Sequence, residues 1–207
     1  MATDDDIYTE PDLDPDTLAN LGPLTPMAGI FEGTAGTDVH PVAGGSETDV
    51  YVERYELQPI DPQTNGPQYF YGLRYHVHIT KPGEVETFHD QVGYWLWEPV
   101  TGTVVQSLAI PRAQVAMASG TAAADATTFT VRAERGSTVW GICSGPFLER
   151  NFTTTAFEIT VSTGDDGTWS YDETTTLLIP DRDEPFLHTD MHHLTKVGEP
   201  TPNPLAR

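Results

Sequence analysis

The sequence predicts an all-β protein of many short antiparallel strands, a sandwich or a closed barrel. Three observations carry that expectation. Short segments with period-two hydrophobic alternation recur along most of the chain. Turn-forming residues punctuate them at short intervals. No long stretch sustains a helical period. A closed barrel suits such a chain because it leaves no exposed sheet edge and its mouth can hold one small ligand.

Residues 1–20 are acidic and carry Pro11 and Pro15, so they read as a flexible tail. A short helix fits within DPDTLANLGPL, with Asp14 or Asp16 as its cap. The barrel domain runs from 21 to 198. VYVERYELQ (50–58) alternates imperfectly. LRYHVHI (73–79) alternates cleanly, with Leu73, Tyr75, Val77 and Ile79 on one face and Arg74, His76 and His78 on the other. HDQVGYWLW (89–97), TVVQSLAI (103–110), TFTVRAE (128–134), FEITV (157–161) and TWSYDETTTLLI (168–179) follow as further strands. Turns are expected at TNGP (64–67), KPG (81–83), TG (101–102) and TGDDG (163–167). Residues 199–207 form a proline-rich C-terminal tail.

Composition narrows the function. The 207 residues carry 31 acidic and 10 basic side chains, a net charge of -21. Such a surface repels nucleic acid and anionic membranes, so neither is an expected partner. One cysteine, Cys143, excludes an internal disulfide. The N-terminus lacks the basic and apolar regions of a signal peptide, and no apolar run reaches the roughly 20 residues of a membrane span. A soluble cytoplasmic protein is the expectation.

Three of the seven histidines fall in FLHTDMHHLTKVGEP. On a regular strand His193 shares a face with Leu187, Met191, Thr195 and Val197, while His188 and His192 share the other with Phe186, Asp190, Leu194 and Lys196. The more apolar face is expected inside, which turns His193 inward. On a strand the spacing does not converge side chains on zinc; Asp190 or a distant histidine would have to complete the set. His89 shares a face with Gln91, Gly93, Trp95 and Trp97, a mixture that suits a ligand pocket wall or a structural barrel lining equally. No G-x-S-x-G, P-loop or G-x-G-x-x-G is present, and Cys143 reads as a buried bystander.

Several segments together resemble the nitrobindins, small haem-binding β-barrels shaped like fatty-acid-binding proteins. LGPLTPMAGIFEGTAG is similar to the family's opening strand: Gly29 and Gly33 match its G-x-W-x-G-x-G signature, with Phe31 in place of Trp and Ala35 in place of the last Gly. TFHDQVGYWLW resembles H-x-E-x-G-Y/F, with His89, Gly93 and Tyr94 matching and Gln91 replacing Glu. TVVQSLAIPRAQVAMASG is similar to the paired strands that follow, and HHLTKV to the terminal segment whose histidine binds haem iron. Segments 59–69 and 135–152 are longer than in the family.

The resemblance implies an antiparallel barrel of about ten strands, of the lipocalin or fatty-acid-binding-protein type, with haem b as cofactor, His193 as the iron ligand, and His89, Phe31, Tyr75 and Trp95 as residues lining the haem pocket. It also implies NO binding at ferric iron and, as an enzymatic activity, isomerisation of peroxynitrite to nitrate. Two alternatives stay open. One is a haem-free, lipocalin-like carrier of a small hydrophobic or fatty-acid-like ligand, with Arg74 or Arg54 pairing a carboxylate. The other is an enzyme acting on a small organic substrate in the same pocket.

Overall fold

Leu73, Tyr75, Val77 and Ile79 all point into the barrel in the computed structural model, and Arg74, His76 and His78 point out, as the alternation requires. The structure describes residues 6–164 and 166–205. Asp165, inside the TGDDG turn, and the extreme ends of both tails lie outside the described residues. Among the described residues eleven strands form one closed sheet: β1 Gly29–Val42, β2 Gly45–Asn65, β3 Gln68–Thr80, β4 Thr87–Glu98, β5 Thr103–Ile110, β6 Gln114–Thr121, β7 Thr128–Arg135, β8 Gly141–Ser144, β9 Thr153–Thr163, β10 Thr168–Leu178 and β11 Phe186–Gly198. β1 pairs antiparallel with both β2 and β11, which closes the barrel.

One seam departs from the antiparallel meander. β6 and β7 pair directly only at Ser119 and Arg132, and the short β8 fills the gap, antiparallel to β6 and parallel to β7. β8 and the one-turn helix α1 (Pro146–Asn151) belong to the long 135–152 segment. The other long segment, 59–69, extends the β2–β3 hairpin beyond the barrel wall.

The barrel is filled from one end. A 3-10 turn over Gly22–Met27 plugs it, with Leu21, Leu24 and Met27 fully buried. Above the plug sits an aromatic layer in edge-to-face contact: Phe31 on Trp169, Trp95 on Phe129, and Tyr55 on Trp169. Burying a side chain such as Phe31 contributes about 1.5–3 kcal/mol, so this half forms a rigid base. The described part of the N-terminal segment, expected as a tail, is fastened near its end. Thr17 is buried and donates its hydroxyl to the Ile60 carbonyl at 2.7 Å, and Asp14 accepts from the Tyr71 hydroxyl at 3.0 Å. The opposite half of the barrel is open.

Candidate functional site

The open half holds a cavity of about 480 Å³, within the range of small-molecule sites. Its walls differ in chemistry. Val77, Ile79, Leu108, Ile110, Phe157 and Ile159 make an apolar wall from β3, β5 and β9, and Phe147, Leu148 and Phe152 of the α1 segment cover the mouth. Tyr51, Glu53, Gln91, Gln106 and Tyr171 make the floor. Asp38, Glu173 and Asp190 make an acidic wall from β1, β10 and β11, with His40, His89, His188 and Arg112 toward the rim.

β11 has the face opposite to the one its hydrophobicity suggests. His193 is exposed on the outer surface, and Met191, Leu187 and Val197 point out with it. His188, Asp190, His192 and Leu194 point in. A period-two strand slips as a whole, so one reversal moves every side chain. The polar face wins because the interior at this level is a polar cavity with partners for it. His193 therefore does not reach the cavity.

His192 is bound into a network below the acidic wall. Its side chain and that of Glu53 are each 1% exposed, and Nδ1 lies 2.6 Å from Glu53 Oε2. That oxygen also accepts from the Tyr171 hydroxyl at 2.9 Å, and Tyr171 exchanges a hydrogen bond with Tyr51 at 2.8 Å. The Ala35 amide donates to Nε2 at 3.3 Å, so both ring nitrogens are engaged. The pairing of β1 with β2 shifts register between Gly33 and Gly36, and this bulge delivers the amide. A Cβ on Gly33 would lie on the His192 ring and one on Gly36 on the Tyr51 ring, so both glycines are needed for close approach.

Asp38 and Asp190 stand opposite each other on adjacent strands, both facing the cavity. Burial works against charging Asp38, yet the hydrogen bond from His188 and the charges of His188 and His40 hold its pKa below the ordinary value. His188 Nε2 lies 2.8 Å from Asp38 Oδ1 and 3.5 Å from Asp190 Oδ2, and His40 Nδ1 lies 3.0 Å from Asp38 Oδ2. Burial lowers the affinity of His188 for a proton, but Asp38 and Asp190 outweigh it and raise its pKa. Asp190 is pushed up to about 7, first by burial. Glu173 is held well above the usual carboxylate range by burial and by the charges of Asp190 and Glu53. Its accessible area faces the cavity rather than bulk water. His89 is lowered, chiefly by burial and then by the Arg112 charge, and so carries a neutral ring on the cavity wall.

Of the five residues expected at the haem site, His193, His89, Phe31, Tyr75 and Trp95, only His89 lines the cavity. Phe31, Tyr75 and Trp95 belong to the buried layer beneath it, because the floor closes over them. Tyr75 supports that floor by accepting from the Gln91 amide at 2.8 Å, and the Trp95 indole donates to the Tyr55 hydroxyl. Arg54 and Arg74 are exposed outside the barrel, and Arg54 pairs with Glu32 there. Cys143 is exposed rather than buried. The sequence reading passed over Asp38, Glu53, Gln106 and Glu173. In a chain with 31 acidic residues a carboxylate pair carries no signal until topology brings two together.

A family model for the THAP4-like, heme-binding beta-barrel domain matches residues 20–196. The chain belongs to this family. The resemblance to nitrobindin-type barrels is thereby borne out. The crystal structure of Rv2717c from M. tuberculosis superposes with a TM-score of 0.59 at 18% identity, covering 90% of this chain and 99% of that one. At that identity the likeness speaks for the fold. No curated protein sequence matches the chain. Among the described residues no helix is long and apolar enough to cross a membrane.

The haem-binding barrel family implies a haem, whose iron takes a neutral imidazole in an otherwise apolar setting. His193 lies outside the cavity, His192 has both ring nitrogens engaged, and His40 and His188 stand against Asp38 in the acidic wall rather than in an apolar setting. His89 meets the requirement: it lines the cavity, its ring is neutral, and the apolar wall stands in the same space. The residues present fit the group, with a different histidine from the one that the family's terminal motif selects.

Proposed function

We propose that this barrel binds haem b in the open-half cavity, with His89 holding the iron. The observation that carries the reading is the position of His89 on the wall of a cavity with one apolar side, where burial disfavours a charge on its ring. Bound haem supplies the iron chemistry: reversible NO binding in the ferric state and isomerisation of peroxynitrite to nitrate. The chain's own residues set access and proton supply. Phe147, Leu148 and Phe152 cover the mouth and limit water entry. Arg112, whose guanidinium donates to the Phe88 carbonyl at 3.0 Å, stands at the rim where a ligand carboxylate would meet a cation. Glu173, whose hold on a proton is strengthened by burial and then by the charges of Asp190 and Glu53, faces the same cavity. The exposed free thiol of Cys143 suits a reducing, cytoplasmic setting.

The test is titration of the purified protein with hemin, followed at the Soret band. The wild type and His193→Ala are expected to take up one equivalent with the same spectrum, and His89→Ala to lose or shift the band. Absence of uptake by the wild type would remove the haem reading. It would leave the haem-free carrier, which Arg112 at the mouth favours, to be tested by displacement of a fluorescent fatty acid.

A further inference from the structure

We propose that Asp38, His188 and Asp190 form a mononuclear site for a divalent transition-metal ion such as Zn2+, on the acidic wall of the cavity and independent of haem. Their ligand atoms all lie within 4.8 Å of one another. A tetrahedral ion with bonds of about 2.0–2.1 Å needs separations of about 3.3–3.4 Å, so a small contraction converts the cluster into a ligand set. The mixture of one imidazole and two carboxylates suits Zn2+, Co2+ or Mn2+ rather than Ca2+ or Mg2+, which prefer all-oxygen shells. His40 completes the arrangement from outside. Its Nδ1 lies 3.0 Å from Asp38 Oδ2, the oxygen that His188 does not use, and so orients the carboxylate as outer-shell partners do.

Two further observations point to a cation here. Asp38 and Asp190 are direct cross-strand partners facing the same interior; like charges so placed are destabilising, and His188, among the described residues the one side chain reaching both, marks where a positive charge stands between them. One layer below, Glu53 is 1% exposed and lines the same cavity, yet its Oε1 has no hydrogen-bond partner among the described residues. A buried carboxylate oxygen without a partner is costly, and a positive ion in the layer above offsets part of that cost. His188, Asp190 and Asp38 all line the cavity, so a coordination position on that side is open to water or to a cavity ligand. Three protein ligands with one open position is the arrangement of catalytic rather than structural zinc. The terminal histidine segment alone could not supply such a site; the missing donor is Asp38, brought in by the β1–β11 pairing.

The experiment is isothermal titration of ZnSO4 into the tag-free, EDTA-treated, haem-free chain. One equivalent is expected to bind saturably. Asp190→Asn and His188→Ala should each weaken binding at least tenfold, with His76→Ala and His193→Ala, both on the outer face, unchanged. As a check that needs no variant, substoichiometric Mn2+ should broaden the ring signals of His188 and His40 in NMR spectra and spare those of His193. Absence of saturable binding, undiminished binding in the His188→Ala/Asp190→Asn double variant, or broadening centred on His193 would overturn the proposal. A chain that takes hemin but no zinc sinks this inference alone, and one that takes zinc but no hemin sinks the haem reading alone.

Discussion

Replacing His192 by Ala should be among the most damaging single changes in the barrel, while the same change at His193 should do almost nothing. The His192–Glu53 pair is buried, with 2.6 Å between Nδ1 and Oε2 and 1% exposure of each side chain. Removing the imidazole leaves Glu53 with the Tyr171 hydroxyl as its remaining partner, since Oε1 already has none among the described residues. It also orphans the Ala35 amide and empties the space against the Tyr51 ring, whose centroid lies 4.9 Å away. Stranding a buried hydrogen-bonded carboxylate costs about 1–3 kcal/mol or more, and with the cavity left by the ring the loss should reach about 3–5 kcal/mol. At about 2–4 °C per kcal/mol for a chain of this size, Tm should fall by roughly 6–20 °C. His193 is exposed, and its replacement should change stability by no more than about 0.5 kcal/mol. Thermal and urea unfolding followed by circular dichroism measure both. Glu53→Gln in the His192→Ala background removes the stranded charge and should recover part of the loss, a coupling of about 0.5–3 kcal/mol. A His192→Ala loss below about 1 kcal/mol, or a larger loss from His193→Ala, would refute the assignment of faces on β11.

Gly33→Ala should destabilise by about 1–3 kcal/mol, because its Cβ would meet the His192 ring, whereas Gly44→Ala, with open space around it, should be neutral in the same melts. Glu173→Gln should stabilise at neutral pH. The native carboxyl holds its proton far more tightly than the unfolded one, so wild-type stability is fully present below the ordinary Glu pKa and falls as pH rises above it. The Tm advantage of the variant should therefore grow from pH 4 to pH 8 in metal-free buffer, and a constant difference would contradict this. With a net charge of -21, Tm should rise with NaCl as the Debye length shortens from ~10 Å at 0.1 M to ~3 Å at 1 M; a flat response would show that self-repulsion contributes little.

The barrel was legible because its evidence is local. Alternation at 73–79, turn residues between strands and the absence of helical period are all properties of neighbouring residues. The wall position of His89 was legible for the same reason, since it shares a strand face with Gln91, Trp95 and Trp97, which are buried. β11 defeated the same reasoning. Its apolar Leu187, Met191 and Val197 face solvent because Glu53, Asp38 and Gly33 wait inside for its polar face, and those residues are more than a hundred positions away. The acidic wall was illegible for a different reason. Glu173 and Asp190 face each other across β10 and β11, but Asp38 joins them only when β1 closes the barrel, and nothing local separates the three from the other acidic residues. The lid was hidden too, since a one-turn helix leaves no periodic trace in sequence.

The most direct test of iron ligation from the cavity wall is imidazole rescue of His89→Gly. The hemin-loaded variant should lose or shift the Soret band, and added imidazole, entering the space left by the side chain, should restore the wild-type spectrum in a saturable way. A His89→Gly protein whose hemin spectrum equals that of the wild type without imidazole, or a His193→Gly protein that needs imidazole for its band, would contradict ligation by His89.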